Sequence, residues 1–109
     1  MNWIPLENEH QLQEIKAKSS FRSQVIFKHS IRCGISGVVK SRLEKGKLPP
    51  DVDCYFLDII HNRILSNKIA EEFQVFHESP QVLIIRNGEC VYDESHMSIT
   101  SQGIVAQAM

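Results

Sequence analysis

The chain has 109 residues, 42% hydrophobic and 23% charged, which fits one compact domain spanning 1–109 and is too short for two. A formal net charge of -1 gives no general pull toward nucleic acid or an anionic membrane, and no Lys/Arg tract supplies one locally. No run approaches the roughly 18 apolar residues that span a bilayer, and Met1-Asn2-Trp3-Ile4-Pro5 lacks the basic and apolar regions of a signal peptide, so a cytoplasmic location is expected.

The opening segment Trp3-Ile4-Pro5-Leu6 precedes a short amphipathic helix that begins near Asn8 and carries Leu12, Ile15 and Ala17. Val25-Ile26-Phe27, within Gln24 to Lys28, is a continuous apolar run suited to a strand buried on both faces in the middle of a sheet. From Cys33 or Gly34, the residues Ile35, Val38, Val39 and Leu43 recur at helical spacing until Gly46 and Pro49-Pro50 stop the helix. The loop at 46–50 is too short to divide domains.

Val52 to Ile60 is rich in aromatic and β-branched residues and predicts a second interior strand, followed by Asn62 as a helix cap. The next helix runs to about Phe73, with Ile64, Leu65, Ile69, Ala70 and Phe73 as its core stripe. Gln81–Arg86 and Glu89–Asp93 flank Asn87-Gly88, a dipeptide that tolerates the positive φ angles of a hairpin turn. Ser98 or Thr100 caps a last helix with Ile99, Ile104, Val105 and Ala108 as its apolar members.

The resulting order, β-α-β-α-β-α-β-β-α, predicts an α/β domain with a central mixed sheet, and is similar to the thioredoxin-like fold. Parallel crossovers come early and an antiparallel hairpin late. In that fold a cis-proline opens the strand facing the active thiol, and Ser79-Pro80 stands at the matching point. A proline at the first residue of a strand also has an ordinary explanation, since no ladder donor is needed there.

Chemistry concentrates at Cys33, where a buried strand gives way through His29-Ser30-Ile31-Arg32 to a helix. The first turn of a helix carries unpaired N–H groups and the positive end of the macrodipole, which favour a thiolate. Ser36 occupies the place of the second cysteine in a Cys-x-x-Cys redox pair, so Cys33-Gly34-Ile35-Ser36 predicts one-thiol chemistry that stops at a mixed disulfide. Lys28, His29 and Arg32 bring up to three cations near that thiol, Arg32 foremost, to stabilise it or to hold a carboxylate of an anionic small thiol. Two of them also have a plainer reading, Lys28 as a strand end in solvent and His29 as a surface group. Ser36 either hydrogen-bonds the sulfur or serves the backbone. His96 reads as a capping or surface histidine. Cys54 and Cys90 lie inside strand patterns and read as buried, inert thiols, and no cysteine has a partner at zinc-ligand spacing.

Phe27-Lys28-His29-Ser30 leading into Cys33-Gly34-Ile35-Ser36, together with Leu57-Asp58-Ile59, His77-Glu78-Ser79-Pro80-Gln81 and Ser95-His96 before Ile99-Thr100, resembles the YtxJ-like family. These are the monothiol bacilliredoxins of the bacillithiol system, and the resemblance extends over essentially the whole chain. It implies removal of bacillithiol, or a similar low-molecular-weight thiol, from S-thiolated client proteins by Cys33. The small thiol acts as co-substrate and no tightly bound cofactor or metal is needed. The backbone of Ser79 beside Pro80 is then expected to pair with an extended client segment. The family commonly places proline after the active cysteine, where this chain has Gly34. That glycine also brings the motif near the Cys-Gly-Phe-Ser of monothiol glutaredoxins, some of which bridge an iron-sulfur cluster between subunits, and so supplies the second reading as a cluster or thiol carrier. A third reading, an interaction protein with an idle cysteine, needs no chemistry at Cys33.

Overall fold

The computed structural model describes residues 3–46 and 48–108, which leaves position 47 of the expected 46–50 loop outside the described residues. Its elements are β1 (Ile4–Pro5), α1 (Glu9–Lys18), β2 (Gln24–His29), α2 (Gly34–Lys45), β3 (Asp53–Asp58), α3 (Arg63–Phe73), β4 (Gln81–Arg86), β5 (Glu89–Ser95), a single 3₁₀ turn (His96–Ser98) and α4 (Ser101–Ala108). The strands form one sheet in the order β1-β3-β2-β4-β5. β3 runs parallel to both β1 and β2, whereas β4 is antiparallel to β2 and to β5. This is the thioredoxin-like α/β architecture that the element order predicts.

Every residue of β2 is buried because the sheet is covered on both faces. Side chains of successive strand residues point to opposite faces, so Ile26 joins Leu57, Leu83 and Ile85 beneath α1 and α3, with Leu12, Ile15, Leu65, Ile69 and Phe73. Val25 and Phe27 join Val82 and Ile84 beneath α2 and α4, with Val39, Leu43, Ile104 and Ala108.

Local chemistry fixes the boundaries. Asn8 Oδ1 accepts the Gln11 N–H at 2.9 Å and starts α1. Thr100, rather than Ser98, caps α4 by accepting the Gly103 N–H at 3.0 Å. Asn87 and Gly88, at φ 53° and 78°, form the hairpin turn that their residue types demand. β3 stops at Asp58, short of the expected Ile60, because the Ile59 N–H turns to His29 O and the Ile60 N–H to the Asp58 carboxylate.

Four expected apolar helix positions lie outside the core, the small Ala17 of α1 and three larger side chains. Ile35 (43% exposed), Val38 (53%) and Ile64 (82%) face solvent. The buried stripes are Ser36-Val39-Leu43 on α2 and Leu65-Ser66-Ile69-Phe73 on α3, so each helix turns a polar serine inward and an isoleucine or valine outward. Helical spacing defines a stripe, but which edge of a broad stripe is covered depends on the neighbouring elements.

Because β1, β2 and β3 are parallel, the segments that follow them open at one end of the sheet. β4 begins and β5 finishes at that same end. Residues 30–33, 59–62, 79–80 and 95–98 therefore gather there, on four different connections of a rigid frame.

Candidate active site

Cys33 is the cap of α2, with extended backbone at φ -108° and ψ 113°. Its N–H donates to Ser30 O at 3.1 Å, and its carbonyl accepts the N–H groups of Ser36 at 3.1 Å and Gly37 at 3.4 Å. The backbone is thus held on both sides of the residue. The side chain makes no capping hydrogen bond among the described residues, and the half-buried sulfur stands at the helix end that favours anionic groups.

Ser36 is fully buried, so it is not a group that an incoming disulfide meets. Its hydroxyl accepts the Ser30 N–H at 3.1 Å and lies 2.8 Å from His29 Nδ1. Of the two expectations for Ser36, contact with the sulfur or service to the backbone, the structure places it in the second. Ser30 Oγ in turn accepts the Arg32 N–H at 3.3 Å. The loop carrying Cys33 is therefore tied to β2 and to the first turn of α2 by its own serines.

His29 and Lys28 correct the sequence reading, because neither sits in solvent beside the thiol. His29 is packed against Phe56, at 5.2 Å between ring centroids, and Phe27, at 5.9 Å. Burial, with Lys40 adding to it, pulls its pKa below the usual histidine range and keeps the ring neutral. Lys28 is 0% exposed and lies on the opposite face of β2, where its ammonium donates to Ser66 O at 3.1 Å and meets His77 Nδ1 at 3.3 Å. Burial pushes its pKa down to about 8. A strand covered on both faces buries whatever occupies it, lysine included. Arg32 is exposed and has no ion pair among the described residues, so of the three expected cations it is the one available to an anionic ligand.

Gly34 opens α2, and a Cβ built on it would meet nothing within 4 Å. Opposite, Ser79-Pro80 is a cis peptide, as the sequence pattern predicts. Pro80 O accepts the His96 N–H at 2.9 Å, while His96 Nε2 lies 3.3 Å from the Glu78 carboxylate. His96 itself adopts φ 57°, a conformation that few histidines take. This double clamp on the Pro80 segment is absent from the sequence reading. Its only sequence signal is the placement of Ser95-His96 after the hairpin, and a positive φ at histidine leaves no trace in composition.

The other thiols are remote. Cys54 pairs with Val25, and Cys90 with Ile85, itself opposite Gln24. Both therefore sit at the start of β2, whereas Cys33 follows its end. Val25 to His29 alone spans about 13 Å at ~3.3 Å per residue, and a disulfide needs Cα atoms within about 7 Å. Burial pushes the Cys54 thiol up to about 11, and it also raises that of Cys90. Both are poor nucleophiles in this fold. Among the described residues, no group of three or more His, Cys, Asp or Glu side chains is placed to hold a metal ion.

The monothiol bacilliredoxin family model matches residues 4–104. The chain belongs to the monothiol bacilliredoxin family. A solved protein described as having a thioredoxin fold is 32% identical, covers 96% of this chain and 91% of its own length, and superposes with a TM-score of 0.81. The thioredoxins of Malassezia sympodialis (17% identity, 99% and 92% covered, TM-score 0.76) and Fasciola hepatica (18%, 96% and 98%, 0.74) share the fold. Family and fold together assign this bacilliredoxin to the thiol oxidoreductases. No helix among its described residues is long and apolar enough to cross a membrane.

Proposed function

We propose that this bacilliredoxin removes bacillithiol, or a closely similar low-molecular-weight thiol, from mixed disulfides on client proteins. The observation that supports this most is the isolation of Cys33: it caps a helix with its side chain uncommitted, while Cys54 and Cys90 lie at the far end of the sheet. A protein so built has no internal thiol to resolve a disulfide with its client. It works best when attack falls on the small-thiol sulfur.

The Cys33 thiolate attacks that sulfur in the client mixed disulfide. A new bond forms between Cys33 Sγ and the small thiol, the old S–S bond breaks, and the client cysteine leaves as a thiolate that takes a proton from solvent. One disulfide is consumed and one is made, so no external electrons are needed. A second molecule of the small thiol then attacks the adduct, releasing Cys33 and forming the symmetric low-molecular-weight disulfide. Arg32 supplies a positive charge for carboxylates of the small thiol, and the Ser79-Pro80 backbone offers an edge for the client chain.

The test is de-thiolation of a bacillithiolated or glutathionylated model protein. Cys33→Ser abolishes release of the small thiol, whereas Cys54→Ser and Cys90→Ser retain it. Loss of activity in either of the latter two, with the fold intact, contradicts a one-thiol mechanism.

A further inference from the structure

Lys28 has no carboxylate partner among the described residues and is fully buried, although it is a cation in the middle strand of the sheet. An uncompensated buried charge is destabilising, so its presence calls for a reason beyond packing. Directly across the β2–β4 ladder stands Gln81, 1% exposed, with its side chain on the same face as Lys28. The Gln81 amide donates through Nε2 to Phe76 O at 2.9 Å, and its oxygen has no partner in the protein. A nonpolar residue would fill either place without these orphaned or unpaired groups.

The two side chains share one target. Lys28 holds His77 through Nδ1, and Gln81 holds the carbonyl of Phe76, so adjacent strands grip adjacent residues of the segment that runs from the end of α3 into Ser79-Pro80. Lys28 also donates to Ser66 O, which ties α3 to the same point, and Ser66 Oγ lies 3.1 Å from His77 Nδ1. Above this grip Phe76 turns its ring outward, 93% exposed.

We propose that Lys28 and Gln81 are positioning residues, which set where the Ser79-Pro80 edge stands relative to Cys33 by holding His77 and Phe76 from beneath. The inference rests on the function proposed above, in which that edge receives the client. Neither residue touches the reacting sulfurs. Thiol transfer from a protein depends on the edge, whereas reaction of Cys33 with a small alkylating agent does not. A displacement of about 1 Å at a site that orients reactants lowers rates by factors of ten to a hundred.

The experiment compares wild type with Lys28→Met and, independently, Gln81→Met. Both replacements fill the site without donors, and Lys28→Met leaves His77 Nδ1 its contact with Ser66 Oγ. The expected results are a thermal midpoint unchanged or raised, iodoacetamide alkylation of Cys33 within about twofold of wild type, and de-thiolation of a glutathionylated model protein slowed about tenfold. Amide hydrogen exchange at residues 74–79 rises at least about fivefold, as expected when a segment loses its tethers. Unchanged de-thiolation and exchange in both variants overturn the inference. So does a parallel loss of alkylation and de-thiolation, which marks general damage to the fold. A wild-type protein that moves the small thiol from neither a glutathionylated nor a bacillithiolated model protein removes the proposed function, and the exchange measurement alone then decides whether Lys28 and Gln81 hold the segment.

Discussion

The hydroxyl of Ser36 lies 2.8 Å from Nδ1 of His29 while accepting the backbone N–H of Ser30, so one buried oxygen fastens β2, the loop after it and the first turn of α2. The residue that replaces a second cysteine thus holds the first one in place. Ser36→Ala leaves the Ser30 N–H and the His29 nitrogen without that partner, inside the protein. The expected loss is about 1–3 kcal/mol of stability, read from urea unfolding, with slower alkylation of Cys33. A variant as stable as wild type contradicts the assigned role.

Gly34 occupies the first position of α2 with open space around its missing Cβ. Proline has the right φ for that position and lacks only a donor that the helix does not use there. Gly34→Pro is expected to stabilise the protein by about 0.4–1 kcal/mol through the unfolded chain. Thermal unfolding measures it, and a lowered midpoint shows that the Gly34 N–H or its conformation is needed.

Stability has an alkaline signature. The Lys28 pKa is lowered from 10.5 in the unfolded chain to about 8 in the fold, so between those values the unfolded state binds more protons and folding gains as pH rises. Cys54 runs the other way, but from 9.0 to about 11. Between pH 8 and 9, therefore, the Lys28 gain of up to about 1 kcal/mol stands apart from the Cys54 loss. Urea unfolding at the two pH values detects it, and Lys28→Met removes it. A wild type that loses stability over that interval contradicts the burial of an unpaired ammonium.

The acid side depends on His29 and His77, both held below the usual histidine range first by burial, with Lys40 adding to the shift at His29 and Lys28 at His77. Their unfolded forms protonate near 6.5 before the folded forms do, so stability falls as pH drops below that value. His29→Phe, which keeps the aromatic packing, is expected to flatten the fall between pH 6.5 and 5. The same slope in variant and wild type excludes His29 from it.

Arg32 is the exposed cation beside Cys33, and its contribution is electrostatic. Arg32→Glu is expected to slow transfer of an anionic small thiol about fivefold at low salt, with the difference shrinking as ionic strength rises and the charges are screened. Stopped-flow measurement across salt concentrations checks this. A salt-independent effect points to packing rather than charge.

Much of this architecture is written in local patterns. Asn8 and Thr100 cap helices with side chains suited to it, Asn87-Gly88 turns a hairpin, and the apolar run at Val25-Ile26-Phe27 is the central strand. The site is legible where it depends on sequence neighbours, as at Cys33 and Ser79-Pro80. It is not legible where two distant segments meet. Lys28 reads as a cation beside the thiol or as a strand end in solvent because charge usually marks exposure, yet it is buried in the sheet against α3. Ile35, Val38 and Ile64 read as core because a helical stripe does not say how wide its cover is. His96 meets Glu78 and Pro80 only after β5 runs two residues past the expected Asp93, to Ser95.

In the proposed reaction the small thiol, not the client protein, moves onto Cys33. Intact mass spectrometry after brief mixing with a bacillithiolated model protein, in the absence of free thiol, reads this directly. The expected product is a bacillithiol adduct on Cys33, absent from Cys33→Ser, together with a fully reduced client. A covalent complex between the two proteins as the main product, or no adduct on either, contradicts it.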